Sequence, residues 1–237
     1  MGIGEACSIA SALTWAGGVI IYKRLGETMP PLHLNLIKNL IVLGMIVPTV
    51  LLVQGFALPS LPPSAIALSL ASGVLGIAAG DTLYFRALNT LGAGRMGIVG
   101  NFYSPFVIVL SFVFLGERLN ALQMVGFVLV SGGVLIVSSH DPQQRLTPAM
   151  LRRGAFYGVC AILLMAVAIV MVKRVLEGQP LLWIVLLRLL GGVAGMLALF
   201  ALRREPLRAH AATAKPLRWP LLILAAFLGQ YVSMVLW

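Results

Sequence analysis

Residues 73–133 read GVLGIAAGDTLYFRALNTLGAGRMGIVGNFYSPFVIVLSFVFLGERLNALQMVGFVLVSGG and decide the fold of the chain. The stretch is almost continuously apolar, and only the segments 86–95 and 116–120 are polar enough to leave a membrane. Each of its apolar runs is close to the ~20 residues that a helix needs to cross a bilayer. The stretch therefore predicts three transmembrane helices within an all-α, polytopic membrane helix bundle.

The composition of the whole chain excludes a soluble globular protein. Hydrophobic residues occupy 60% of its 237 positions and charged residues only 10%, whereas soluble proteins carry about 25% charged residues. The 17 Lys and Arg residues outnumber the 7 Asp and Glu residues, but they form short clusters between apolar runs, as in membrane loops. We therefore expect an integral membrane protein in contact with the lipid bilayer, with no nucleic-acid partner. Because Glu5 and no basic segment precedes the first apolar run, we expect that run to be a retained helix.

Eight apolar runs predict eight membrane spans. Prolines mark the starts of several spans, at 30–31, 62–63, 180 and 220, where a missing N–H costs little. Pro48 and Pro105 lie inside spans, where we expect them to kink the helix. The predicted spans are 5–22, 32–53, 64–88, 96–115, 119–138, 154–172, 180–202 and 219–237.

The chain matches itself when it is shifted by 150 positions, and after the second span by 153. The aligned pairs are Gly4 with Gly154, Lys23 with Lys173, Arg24 with Arg174, Glu27 with Glu177, Pro30 with Pro180, Lys38 with Arg188, Gly76 with Gly229 and Tyr84 with Trp237. A unit of five spans crosses the membrane an odd number of times, so its second copy is inverted, as in many secondary transporters. The predicted domains are a first five-helix repeat at 1–140, a loop at 141–153 and an incomplete repeat of three helices at 154–237. We therefore expect eight spans of a ten-span protein, and a natural eight-span protein is the alternative.

Three parts of the sequence resemble the EamA-type domain of the drug/metabolite transporter superfamily. They are SALTWAGGVIIYKRL at 11–25, GDTLYFRAL at 80–88, and FLGERLNALQMVGFVLVSGGVLIV at 114–137, which follows Pro105. In that family the fourth helix typically carries a proline and ends in LGE. The resemblance covers residues 4–139 and restarts at Gly154. It implies a transporter with both termini in the cytoplasm, whereas the basic residues concentrate after the odd-numbered spans and favour the opposite orientation.

Asp81 is the sharpest candidate for a functional charge inside the membrane. It lies ~24 Å along the third predicted span, at 1.5 Å per residue, where a carboxylate costs ~2.5 to 3.5 kcal/mol on insertion scales. One interpretation is a proton-coupling or substrate-amine site, and the other is a carboxylate paired with Arg86 or Arg95 near the interface. Glycines on one face of the same helix predict a close approach of a neighbouring backbone. These helix-packing candidates are Gly73, Gly76 and Gly80.

Lys38 and Arg188 occupy equivalent positions in the two copies, ~10 to 12 Å inside their spans. Facing each other across the pseudo-two-fold axis, they would attract the anionic end of a solute into a shared cavity. In the other interpretation both long side chains extend to the interface. The EamA resemblance implies a basic residue at this position of the second helix and does not fix its role.

Aromatic and amide side chains are candidates for the wall of a solute pocket, or alternatively for packing and interfacial belts. They are Trp15, which matches the first-helix Trp of EamA-type domains, the repeat partners Tyr84 and Trp237, and Asn101 and Tyr103 before Pro105. We expect Gly116 to end the fourth helix and Glu117 to stabilise the start of the fifth through the helix dipole.

Enzyme signatures such as H-E-x-x-H, G-x-S-x-G and the Walker A loop are absent from the sequence. The scattered Cys and His residues predict neither a metal site nor a cofactor. We expect a secondary transporter in a bacterial inner membrane, not an enzyme, that exports or exchanges small amino-acid-like or drug-like solutes by alternating access. The alternatives are a lipid-head-group flippase on the same fold and a non-transporting membrane scaffold. The sequence is compatible with proton coupling and with a homodimer.

Overall fold

The computed structural model describes residues 2–55, 59–118, 120–138, 146–204 and 218–236. Within these ranges the chain forms eight helices and no strand, so the predicted all-α bundle is confirmed. The helices are α1 (Ile3–Leu25), α2 (Pro31–Gln54), α3 (Pro63–Leu91), α4 (Ala93–Leu115), α5 (Ala121–Ser138), α6 (Pro148–Gly178), α7 (Leu181–Arg203) and α8 (Trp219–Val235).

Six of the eight helices are long and apolar enough to cross a membrane. The other two, α5 and α8, are apolar over the shorter stretches Ala121–Gly133 and Trp219–Val235 among the residues described. The helix α6 is longer than its predicted span of 154–172. It starts earlier because the hydroxyl of Thr147 accepts a hydrogen bond from the backbone N–H of Met150 at 3.3 Å and caps the helix.

The helix α3 changes its winding halfway along. Its residues Gly73–Gly80 form a π-helix between the α-helical segments Pro63–Ser72 and Asp81–Leu91. The N–H of Asp81 donates to the carbonyl of Gly76, five residues back instead of four. A π turn inserts a residue and reorients the side chains that follow it, and such turns are frequent at functional sites.

The helix α4 is broken at residues 101–102, between Ala93–Gly100 and Tyr103–Leu115. Pro105 accounts for the break, because it has no N–H to donate to the carbonyl of Asn101 four residues earlier. Gly116 ends the helix with a φ of 72°, in the left-handed region that favours glycine.

The helices α3 and α7 cross with their backbones in contact. A Cβ added to Gly73 of α3 would collide with the carbonyl of Arg188 in α7, and one added to Gly192 of α7 would lie 2.7 Å from the side chain of Ile77. This approach places the cation-bearing turn of α7 against the π segment of α3.

Two further crossings rely on glycine. A Cβ on Gly76 of α3 would lie 2.8 Å from the Cβ of Ala168 in α6, and a Cβ on Gly229 of α8 would lie 2.8 Å from the Cα of Gly18 in α1. Gly80 also faces α6, where an added Cβ would lie 3.1 Å from the Met165 side chain. The helix α3 therefore lies at the centre of the bundle, against α2, α6 and α7.

Candidate functional site

A buried ion pair joins α2 to α3. The Nζ of Lys38 lies 2.6 Å from Oδ2 of Asp81, and the two side chains are 4% and 21% exposed. Two aromatic rings cover the ammonium group, with ring centres 5.0 Å away for Phe85 and 5.7 Å away for Tyr22. A desolvated ammonium is stabilised by a carboxylate and by ring faces together. The ammonium group of Lys38 is therefore stabilised inside the apolar bundle by groups of α1 and α3.

This pairing differs from the contacts that the sequence suggested for these charges. Asp81 takes its partner from α2, not from the arginines Arg86 or Arg95 proposed near the interface. Lys38 does not extend to an interface either, because its side chain is buried against Asp81 and the two rings.

The π turn of α3 and an amide of α2 hold the pair in register. Asn35 donates from Nδ2 to the carbonyl of Ile77 at 2.7 Å and to the hydroxyl of Thr82 at 3.0 Å. These two acceptors lie on either side of Asp81 along α3, whereas Lys38 follows Asn35 by three residues and shares its face of α2. Asn35 therefore fixes α2 against the turn that presents the carboxylate.

A chain of buried amides continues from this point to α8. Asn39 donates from Nδ2 to the backbone and side-chain oxygens of Asn35 at 2.9 and 2.8 Å, and Gln230 donates from Nε2 to Oδ1 of Asn39 at 2.7 Å. Sequence reasoning missed all three residues. The signal was available, because two amides four residues apart, with Lys38 between them, mark a polar face on an otherwise apolar helix.

Arg188 lies near the same cluster in different surroundings. It interacts electrostatically with Asp81 and with Tyr103, but none of the ion pairs among the described residues includes it. Its Nε is buried without a hydrogen-bond partner in the described part of the chain. The prediction gave Lys38 and Arg188 one shared role, whereas only Lys38 has a carboxylate bound to it.

The aromatic and amide candidates divide into separate groups. Trp15 and the buried Tyr84 lie together, with ring centres 5.8 Å apart, and Trp15 is 45% exposed. Asn101 donates from Nδ2 to the carbonyl of Ser131 at 3.3 Å and so ties the break in α4 to α5. Trp237 lies outside the described residues.

Two clefts meet at Tyr103. One, of about 390 Å³, lies between α4 and α5, and its polar lining residues are Asn101, Ser104, Gln123 and Ser131. The other, of about 410 Å³, lies between α4 and α6, and its lining includes Val107, Ile169, Lys173 and Glu177. Asn101 and Tyr103, both chosen from sequence as pocket residues, line these clefts.

Glu117 has a different role from the one predicted. Its carboxylate accepts a hydrogen bond from the ammonium of Lys173 on α6. The N-terminus of α5 is capped by Asn120 and Gln123 instead, whose side chains accept from each other's backbone N–H at 2.8 and 2.9 Å. Glu117 lies before this cap, and it joins the end of α4 to α6.

Comparisons with known proteins agree with this architecture. The sequence model of the EamA-like transporter family matches residues 2–139, more than half of the chain. No curated protein matches the sequence. Sixteen chains of solved structures match the fold, and one crystal structure aligns with a TM-score of 0.74 at 16% identity, over 99% of this chain and 77% of its own. The chain belongs to the EamA-like transporter family.

Proposed function

We propose that this protein is an ion-coupled secondary transporter that exports or exchanges small amino-acid-like solutes across a bacterial inner membrane. The observation that carries the proposal is the Lys38–Asp81 ion pair, buried between two helices of a bundle that belongs to a transporter family. Charges are expensive inside a membrane, and where they occur they commonly mark ion and substrate pathways.

The ion pair suggests how coupling works. A proton or a solute amine that reaches Asp81 competes with Lys38 for the carboxylate, so occupation of Asp81 releases the ammonium group. The charged and titratable groups around Asp81 are Lys38, Arg188, Tyr22 and Tyr84. Release of Lys38 would loosen the contact between α2 and α3 and favour the alternative conformation of the carrier.

Alternating access between two inverted repeats is the conformational part of the proposal, and helix contacts support it. The contact of Gly76 with Ala168 and the contact of Gly229 with Gly18 are equivalent under the shifts of 150 and 153 positions. The π segments of α3 and α8 are equivalent in the same way, since they contain the aligned glycines Gly76 and Gly229. In each case the third helix of one copy crosses the first helix of the other, as expected for related halves.

Proteoliposomes test the proposal. The purified protein is reconstituted with a pH-sensitive dye inside, and proton flux is followed while amino acids, drugs and sugars are added singly. We expect flux that depends on one class of solute and saturates with its concentration. If none of the solutes produces proton flux and no labelled solute is exchanged, a transport function would be contradicted and a membrane scaffold favoured.

A lipid-head-group flippase is the second candidate, and the cleft between α4 and α5 favours it. That cleft carries amide and hydroxyl groups at the edge of the bundle, where a lipid head group could enter sideways. The test is the movement of fluorescent phospholipids between leaflets of the same proteoliposomes. Lipid movement that water-soluble solutes do not inhibit would favour the flippase.

A further inference from the structure

The charged cluster formed by Lys38, Asp81 and Arg188 contains two cations and one carboxylate. Asp81 interacts with both Lys38 and Arg188, but only Lys38 is bound to it at ion-pair distance. Two cations and one carboxylate leave a net positive charge in the apolar interior, where an uncompensated charge is costly. The cluster is therefore suited to bind one negative charge.

The internal repeat explains why Arg188 is left over. Arg188 is the equivalent of Lys38, but the position equivalent to Asp81 in the second copy is Met234. The second copy has therefore kept the cation and carries no carboxylate for it. The buried Nε of Arg188 has no hydrogen-bond partner among the described residues, which agrees with this difference.

Arg188 lies close to α3 and interacts with Tyr103 of α4. A Cβ placed on Gly76 would lie 2.8 Å from the Cβ of Ala168 and 4.0 Å from one terminal guanidinium nitrogen of Arg188, so the guanidinium group lies beside the close contact of α3 with α6. Tyr103 interacts electrostatically with Arg188 and also lines the cleft of about 410 Å³ between α4 and α6. That cleft has the size that a small solute needs.

We propose that Arg188 is the receptor for the carboxylate of the transported solute, and that the Lys38–Asp81 pair does not contribute to this anion site. The assignment rests on the transport function proposed above and specifies its substrate class as organic carboxylates. A guanidinium group binds a carboxylate through two parallel hydrogen bonds. One carboxylate also balances the cluster, whereas a phosphate monoester, with about −1.5 to −2 charges at neutral pH, would overcompensate it.

Thermal unfolding of the purified protein in detergent tests the site without requiring transport. Butyrate, benzoate and leucine are compared with butyramide, benzamide and leucinamide, which keep the same apolar groups and lack the carboxylate. We expect at least one carboxylate to raise the unfolding midpoint in a saturable way, and its amide to have no effect. Arg188→Met should abolish this shift, and Arg188→Lys should weaken the apparent affinity about tenfold or more because it loses the paired hydrogen bonds.

The variants without ligand give a second, independent result. Arg188→Met should raise the unfolding midpoint by a few degrees because it removes an uncompensated charge, whereas Lys38→Met at the equivalent position should lower it. The proposal is wrong if Arg188→Met lowers the midpoint as Lys38→Met does, or if no tested carboxylate gives a shift that depends on Arg188. If carboxylates bind but no solute flux is found, the proposed transport function is wrong and the carboxylate site at Arg188 stands. If solute flux is found and Arg188→Met does not change it, the carboxylate site is wrong and the transport function stands.

Discussion

Lys38 and Asp81 are 43 residues apart in the chain, and their charged atoms meet at 2.6 Å between two buried helices. Each charge alone would carry a desolvation cost of several kcal/mol in this environment, and the pair offsets much of that cost only while both partners are present. The pair is therefore a structural contact that any event neutralising Asp81 will weaken.

Removing one partner of the pair should be far more damaging than removing both. Lys38→Met leaves the carboxylate unpaired, and we expect it to lower the free energy of unfolding by about 3 to 5 kcal/mol. The double variant Lys38→Met with Asp81→Asn should recover most of this loss, because neither member of the pair is then left buried without its partner. The measurement is reversible unfolding in mixed micelles.

The exposed pair of Lys23 and Glu27 supplies the control. Their charged atoms are 3.8 Å apart, with Lys23 in the last turn of α1 and Glu27 just beyond its end, and the Glu27 side chain is 64% exposed. Lys23→Met should therefore change the free energy of unfolding by less than about 1 kcal/mol. Equal costs for the two lysine variants would contradict the account of the buried pair.

The crossing of α1 and α8 should tolerate no side chain. Gly18→Ala places a methyl group against the backbone of Gly229, which cannot move aside as a flexible side chain can. We expect a loss of about 1 to 3 kcal/mol in unfolding free energy. The neighbouring Gly17 has nothing within 4 Å of an added Cβ, so Gly17→Ala should be neutral or slightly stabilising. A neutral Gly18→Ala would show that the two helices are not in backbone contact.

The amide chain should behave as one unit. Gln230→Leu removes the donor to Asn39, and Asn39→Leu removes the donor to Oδ1 of Asn35 and the acceptor of Gln230 Nε2. Each single change should cost about 1 to 3 kcal/mol, because a buried amide loses its hydrogen bond. The double variant should cost clearly less than the sum, since both ends of the bond are then removed together. Additive costs in unfolding experiments would show that these amides act independently.

Helix positions followed from the sequence because length and hydrophobicity alone determine them in a membrane. The helix starts at the prolines of α2 and α3 and the helix end at Gly116 could also be predicted. The backbone effects of proline and glycine are local and do not depend on the rest of the fold. The pairing of Asp81 with Lys38 could not be predicted from the sequence. A 3.6-residue period does not show the π turn that precedes Asp81, and distance in sequence says nothing about which helix faces it.

The role of Glu117 was missed for a related reason. A carboxylate shortly before a helix predicts capping, but Asn120 and Gln123 cap α5, and the position of Lys173 on α6 became known only from the fold. The amide of α8 was overlooked because a single polar residue in an apolar run gives no periodic signal, whereas the two amides of α2 share a helical spacing with Lys38 that could have been recognised. The charged candidates themselves were found from sequence, since a charge in an apolar span is conspicuous.

The contact of Glu117 with Lys173 provides a test of alternating access. With Cys7 and Cys160 first replaced by Ala, the pair Glu117→Cys and Lys173→Cys can be joined by a short bifunctional thiol reagent. If the halves must move relative to one another, cross-linking α4 to α6 should reduce solute flux at least about tenfold, and cleavage of a reducible linker should restore it. The uncross-linked double variant is the control, because this half-exposed ion pair contributes little to stability. Full flux in the cross-linked protein would contradict a movement between these helices.

Asp81 should couple solute movement to protons, and the number of protons moved per solute measures that coupling. Proteoliposomes containing the wild type, Asp81→Asn or Glu27→Gln are given the solute that drives flux, and proton and labelled-solute movements are recorded together. We expect a fixed ratio in the wild type and in Glu27→Gln, where an exposed carboxylate is lost, and solute exchange without proton movement in Asp81→Asn. An unchanged ratio in Asp81→Asn would contradict the claim.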